Sequence, residues 1–191
     1  LDIVVNAAGR AFASRVDQLE KDMLVESTLV NLVGPVLAIK WASRHLVDGG
    51  VFLQVTSIAA SQPTPMSAPY SICKSALEQA LRIAAIEGGP RAIRFLGIAP
   101  GVVLTPMTEF LDTQPARDAV TSVTPLRRMV AVDDVVAMAR FLVSGECFES
   151  GSVFPVTGGA IHTRALGAEE LFPVASAEAD GVSPPAMDEE V

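Results

Sequence analysis

Val51-Phe52-Leu53-Gln54-Val55-Thr56-Ser57, then a Pro- and Ser-rich connection from Ser61 to Pro69, then Tyr70-Ser71-Ile72-Cys73-Lys74 is the stretch that decides the fold. The first segment is short, mostly apolar and rich in β-formers, which predicts a buried strand. After the connection, Ile72, Ala76, Leu77, Ala80, Leu81 and Ala84 recur at helical spacing until Gly88-Gly89-Pro90 ends the pattern. Strand, loop and helix therefore follow in order. Downstream, Ile93 to Ala99 predicts a third strand, broken at Pro100-Gly101, and Ser152 to Val156 a fourth, closed by Gly158-Gly159. A short helix with an acidic start runs from Val132 to Leu142, after an irregular stretch containing Pro106, Pro115 and Pro125. Upstream, Leu1 to Val5 predicts the first strand, ended by Asn6-Ala7-Ala8-Gly9. A long helix from about Leu19 to Leu46 follows, with Leu29, Leu32, Val33, Val36 and Leu37 on its apolar side. Strands that are apolar throughout and alternate with helices imply an α/β fold: a Rossmann-like, doubly wound parallel sheet of about four strands with flanking helices. Residues 1–163 are expected to form one domain portion, and 164–191 an acidic, disordered tail.

The net charge of −8 is located mostly in that tail. From Ala168 to Val191 there are seven carboxylates and no Lys or Arg, so the rest of the chain is nearly neutral. No basic cluster with interleaved aromatics occurs, so no nucleic-acid partner is expected. There is no run of eighteen uninterrupted apolar residues and no signal-peptide pattern, so no membrane span or export is expected. Cys73 and Cys147 form no Cys-x-x-Cys pair and are read as buried thiols in a reducing, cytoplasmic setting. His45 and His162 have no neighbours at ligand spacing, so no metal site is expected.

Tyr70 and Lys74, four apart on a predicted helix, share a face with Cβ atoms about 5–6 Å apart. Tyr70 is the only tyrosine in the chain, and Ser57 lies thirteen residues upstream, at the carboxyl end of a predicted strand. Ligands of open parallel sheets bind at such ends. A phenol titrates near 10, too high for a base at neutral pH, and a nearby ammonium favours the phenolate. Such a tyrosine takes a proton from an alcohol or gives one to a carbonyl, and a serine hydroxyl stabilises charge on the same oxygen.

With these motifs in order, the chain resembles the short-chain dehydrogenase/reductase family over roughly Leu1 to Gly159, close to its 3-oxoacyl-acyl-carrier-protein reductase-like members. The resemblance implies that Ser57, Tyr70 and Lys74 are the catalytic serine, the acid/base tyrosine and the lysine that also binds the nicotinamide ribose. It implies that Asn31 is the helix asparagine that holds a water in the proton relay to that lysine. Asn6, Ala7 and Gly9 correspond to the turn along the adenosine side of the cofactor, NAD or NADP. Pro100 and Gly101 open the loop whose Val103 backbone and Thr105 hydroxyl contact the nicotinamide amide. Ala99 and Thr157 depart from the residues common at their positions.

The implied reaction interconverts a secondary alcohol and a ketone by tyrosine-mediated proton transfer and hydride transfer. The implied partners are a small-molecule substrate and further copies of the chain, as a homodimer or homotetramer. Family members begin with a glycine-rich phosphate turn that has no match here. The chain is therefore expected to be a fragment lacking about three βα units of about 30 residues each. Alone it is expected to be poorly soluble and to hold NAD(P) weakly. The alternative is a non-catalytic scaffold that kept the helices and lost cofactor binding.

Overall fold

The structure is a computed structural model, and it describes residues 1–171. The expectation of disorder over 172–191 falls outside the described residues. Four parallel strands, β1 (Ile3–Asn6), β2 (Val51–Val55), β3 (Arg94–Pro100) and β4 (Val153–Val156), form one sheet in that order. Parallel neighbours need crossovers, and helices supply them. Between β1 and β2 run α1 (Lys21–Thr28), a π turn (Leu29–Val33) and α2 (Gly34–His45). Between β2 and β3 lies α3 (Ala68–Gly88), and α4 (Gln114–Ser122) and α5 (Val132–Val143) precede β4.

Strand side chains alternate between faces, so each apolar strand feeds two cores. Phe52 and Phe95 join Ile39, Ala42, Leu77 and Leu81 on the α2–α3 side. Val51, Leu53, Leu96 and Ile98 join Leu142 and Cys147 on the α5 side. Gly97 allows the close approach of β4 and α3: a Cβ there would sit 2.8 Å from Val153 and 3.2 Å from Leu81. Arg94 ties α5 down by donating to the carbonyls of Leu142, Ser144 and Cys147 at 2.8–2.9 Å. That satisfies acceptors a helix end leaves unpaired. Cys73 and Cys147 are both free and buried.

The predicted long helix is one continuous run with an interruption. Pro35 has no N–H for the Asn31 carbonyl, and its ring crowds that carbonyl in an α-helix. The chain widens instead: Leu29–Val33 forms a π turn in which the Gly34 N–H reaches the Leu29 carbonyl. Although no eighteen-residue apolar run exists, the span Lys21–His45 is long and apolar enough, at a mean hydropathy of 1.5, to cross a membrane by length and composition. Here it packs along α3 and is pinned by polar links, among them the Ser27 hydroxyl donating to the Pro69 carbonyl at 2.8 Å.

Two stretches differ from the sequence expectation. The proline-marked segment before Val132 contains α4, with Pro115 in the first turn, where its missing N–H costs nothing. The reading of 164–171 as disordered tail is corrected as well. Leu166 is buried, α6 (Ala168–Leu171) packs on α4, and Arg164 pairs with Glu170.

Candidate active site

The carboxyl ends of β1, β2 and β3 and the start of α3 converge on one group of polar residues. Ser57 leaves β2 in extended conformation and caps the short turn Ile58–Ala60, its hydroxyl accepting from the Ala59 N–H at 3.1 Å. Tyr70 and Lys74 stand on the first turns of α3. The Lys74 ammonium lies 5.4 Å from the centre of the Tyr70 ring and donates to the Val55 carbonyl at 3.4 Å. Lys74 is only 2 % exposed, and burial pulls its ammonium down from the ordinary 10.5 to about 8.

Burial pushes the Tyr70 phenol up, and its hydrogen bond with Ser57 pulls it only partly back. Burial prevails, so at neutral pH Tyr70 carries its proton and is poised to give it away.

Asn31 sits fully buried in the π turn. Its carboxamide is spent on the main chain of Arg10: Oδ1 accepts from the Arg10 N–H at 3.1 Å, and Nδ2 donates to the Arg10 carbonyl at 2.9 Å. Asn31 thus fixes the turn after β1, and a water on this residue would need its main-chain carbonyl, whose α-helical donor Pro35 removes. Gly9 lies between the two side chains: a Cβ there would fall 3.2 Å from Asn31 Oδ1 and 3.3 Å from Lys74 Nζ. Asn6 caps its own turn, accepting from the Ala8 N–H at 3.1 Å, and is paired both ways with buried Gln54 at 3.0 and 3.1 Å. Ala7 is exposed beside it.

Pro100 and Gly101 end β3, and the chain passes through Val103 to Thr105. Thr105 and Thr108 cap each other, and the Thr108 hydroxyl also donates to the Val103 carbonyl. That carbonyl is therefore engaged within the loop. A cavity of about 450 Å³ lies elsewhere, between α5, β4 and the Leu126–Val130 segment, and shares no residue with this group.

Sequence reasoning missed Gln62, whose amide donates to the Ala160 and Thr163 carbonyls at 3.0 and 3.3 Å and ties the serine loop to the last turn before α6. Its only signal was a long polar side chain among the small polar residues of a Pro- and Ser-rich loop. It also missed buried Glu78, one turn beyond Lys74.

Residues 1–161 match the family model described as Enoyl-(Acyl carrier protein) reductase. The chain is 30% identical over 83% of its length to an uncharacterized oxidoreductase of Methylorubrum extorquens, of which it covers 65%. It is 32% identical over 85% of its length to the L-xylulose reductase of Bos taurus, covering 69% of that protein. The chain thus spans just under two thirds of the Methylorubrum relative. Among solved structures, a short-chain type dehydrogenase/reductase from Mycobacterium ulcerans superposes with a TM-score of 0.86 at 30% identity, over 96% of this chain and 69% of that one. A Burkholderia cenocepacia protein described as a dehydrogenase and solved with bound NADP gives 0.78 at 25% identity, over 84% and 62%.

Proposed function

The chain belongs to the short-chain dehydrogenase/reductase family, whose members use NAD(P), and from that premise we propose that its site interconverts a secondary alcohol and a ketone. The observation that carries this reading is a half-buried phenol with a serine hydroxyl and a buried ammonium beside it at the end of a parallel sheet. The residues present fit the nicotinamide half of the cofactor. Among the described residues Lys74 is a buried cation without a carboxylate partner, and Gly9 leaves open the space between it and Asn31. Tyr70, Lys74 and the Pro100–Thr105 loop would hold the nicotinamide and its ribose, and Asn6, Ala7 and Gly9 the adenosine side. When bound, that group supplies the hydride acceptor or donor.

The chain's own residues handle the oxygen of the substrate. Tyr70 gives its proton to a ketone oxygen, or takes one from an alcohol, while the Ser57 hydroxyl donates a hydrogen bond to the same oxygen and lowers the charge building there. Lys74 places positive charge beside the phenol, which favours the phenolate left after proton donation. Asn31 holds the Gly9–Arg10 turn against the lysine. Nicotinamide oxidation by the natural full-length protein with a panel of ketones, and the reverse with the matching alcohols, tests this. Turnover with at least one pair is expected; tight NAD(P)H binding without turnover on any would overturn it.

The partner we propose is a second copy of the chain, met along the helices. The Lys21–His45 span exposes Val25, Leu29, Val33, Leu37 and Trp41 in one stripe, and α3 exposes Ile72, Ile83 and Ile86. An apolar stripe of this extent is costly in water. Leu37→Glu with Trp41→Glu is expected to convert the natural protein to monomers in sedimentation velocity. An unchanged oligomer would place the contact elsewhere.

A further inference from the structure

Among the described residues, Glu78 is the buried carboxylate that the mechanism above leaves without a task. It lies on α3 one turn after Lys74, 8 % exposed. One carboxylate oxygen, Oε1, meets the Thr56 hydroxyl at 3.2 Å, and the other accepts from Arg82 at 3.4 Å. Thr56 is the residue between Val55, whose carbonyl takes the Lys74 ammonium, and Ser57. Its N–H donates to the Ile98 carbonyl at 2.7 Å, and its hydroxyl also lies 3.1 Å from that carbonyl.

A threonine hydroxyl has one proton, and here it faces two acceptors. With Glu78 ionised, the proton goes to Oε1, and the Ile98 carbonyl keeps only the Thr56 N–H. With Glu78 protonated, the acid donates to Thr56 and Thr56 donates to Ile98, so every group is paired. Both arrangements clamp the last residues of β2 between α3 and β3. An apolar side chain at 78 makes neither.

We propose that Glu78, acting through Thr56, is a positioning residue that fixes the Val55–Ser57 backbone and so sets Ser57 and the Lys74 anchor in register with Tyr70. Among the described residues, the charged group facing it is Arg82 on its own helix; β2 and β3 present Thr56 and the uncharged Ile98 carbonyl. Burial raises the Glu78 carboxyl against the opposing pulls of Thr56 and Arg82, and the clamp holds in either protonation state.

The proposal rests on the oxidoreductase reading for its effect on turnover, but not for its effect on structure. The test therefore compares Glu78→Leu, Glu78→Gln, Thr56→Val and the double variant Thr56→Val/Glu78→Leu in the natural full-length protein. Backbone amide exchange at Ser57–Ala60 is measured beside kcat and KM. Glu78→Leu and Thr56→Val are each expected to speed exchange there about tenfold and to lower kcat about tenfold, with cofactor KM unchanged. The double variant should lose no more than either alone, because both remove one link. Glu78→Gln, which still donates and accepts, should restore both readings to within about threefold. Unchanged exchange at Ser57–Ala60, or losses that simply multiply in the double variant, would overturn the proposal. Faster exchange in a protein that turns over no alcohol or ketone would uphold the clamp and sink the oxidoreductase reading instead.

Discussion

Tyr70→Phe is expected to lower turnover by three to four orders of magnitude while changing the dissociation constant for NADP less than threefold. The ring packs as before, so the site keeps its shape. What disappears is the hydroxyl that burial holds protonated in the reach of Ser57. General acid catalysis by one positioned group contributes about 10²–10⁴-fold. Lys74 is the next candidate, but its ammonium is turned to the Val55 carbonyl. Retained turnover in the phenylalanine variant, with ketone reduction followed by nicotinamide absorbance and cofactor binding by calorimetry, would remove Tyr70 from the chemistry.

The second large effect has the opposite sign for stability and for activity. Lys74→Met is expected to abolish turnover and yet raise the melting temperature at pH 7 by several degrees. Burial lowers the Lys74 ammonium from 10.5 to about 8, so keeping it charged in the fold costs about 3 kcal/mol. Fully buried neighbours such as Leu77 and Leu81 contribute about 2 kcal/mol each and carry that cost. Methionine keeps the stem and drops the charge. It forfeits the single bond to Val55, which is worth about 1 kcal/mol, so a net gain of about 1–2 kcal/mol remains.

The pH dependence follows from the same shift. Below pH 8 the lysine is protonated in both the folded and the unfolded chain, and the penalty is complete. Between about 8 and 10.5 the unfolded chain binds more protons than the folded one, so stability rises with pH. The wild type should therefore close its gap to Lys74→Met across that window in calorimetric scans. A gap that widens above pH 8 would contradict the burial argument.

How far the residues alone foretold this arrangement depended on how local each cause was. The β2 strand was read at Val51–Val55, where the structure has it, because a parallel strand buried on both faces is a nearly continuous apolar run, here interrupted only by Gln54. The start of α3 and the i, i+4 pair on it were legible for the same reason. By contrast, α4 was hidden because Pro115 reads as a breaker until its place in the first turn is known. The environment of Asn31 was hidden because its partner, Arg10, is twenty-one residues away and offers only main-chain atoms. Likewise, spacing puts Tyr70 and Lys74 on one helix face, but the direction of the phenol shift depends on burial, which no spacing reveals. The clamp at Glu78 needs three elements, α3, β2 and β3, to meet at Thr56.

The π turn at Leu29–Val33 makes the length of this helix part of the geometry of the site. Such a turn holds one residue more than the α-helix it interrupts. Deleting a single residue there would close the turn to a regular α-helix, with Gly34–His45 left near its present phase and Ile39 and Ala42 still against Phe52 and Phe95. The Pro35 ring would then crowd the carbonyl four residues back, and Asn31 would lose its hold on Arg10. Single substitutions across 29–33 leave that phase intact. Among natural variants of this chain, the segment should therefore drift in residue type around a fixed Asn31 while never gaining or losing a position.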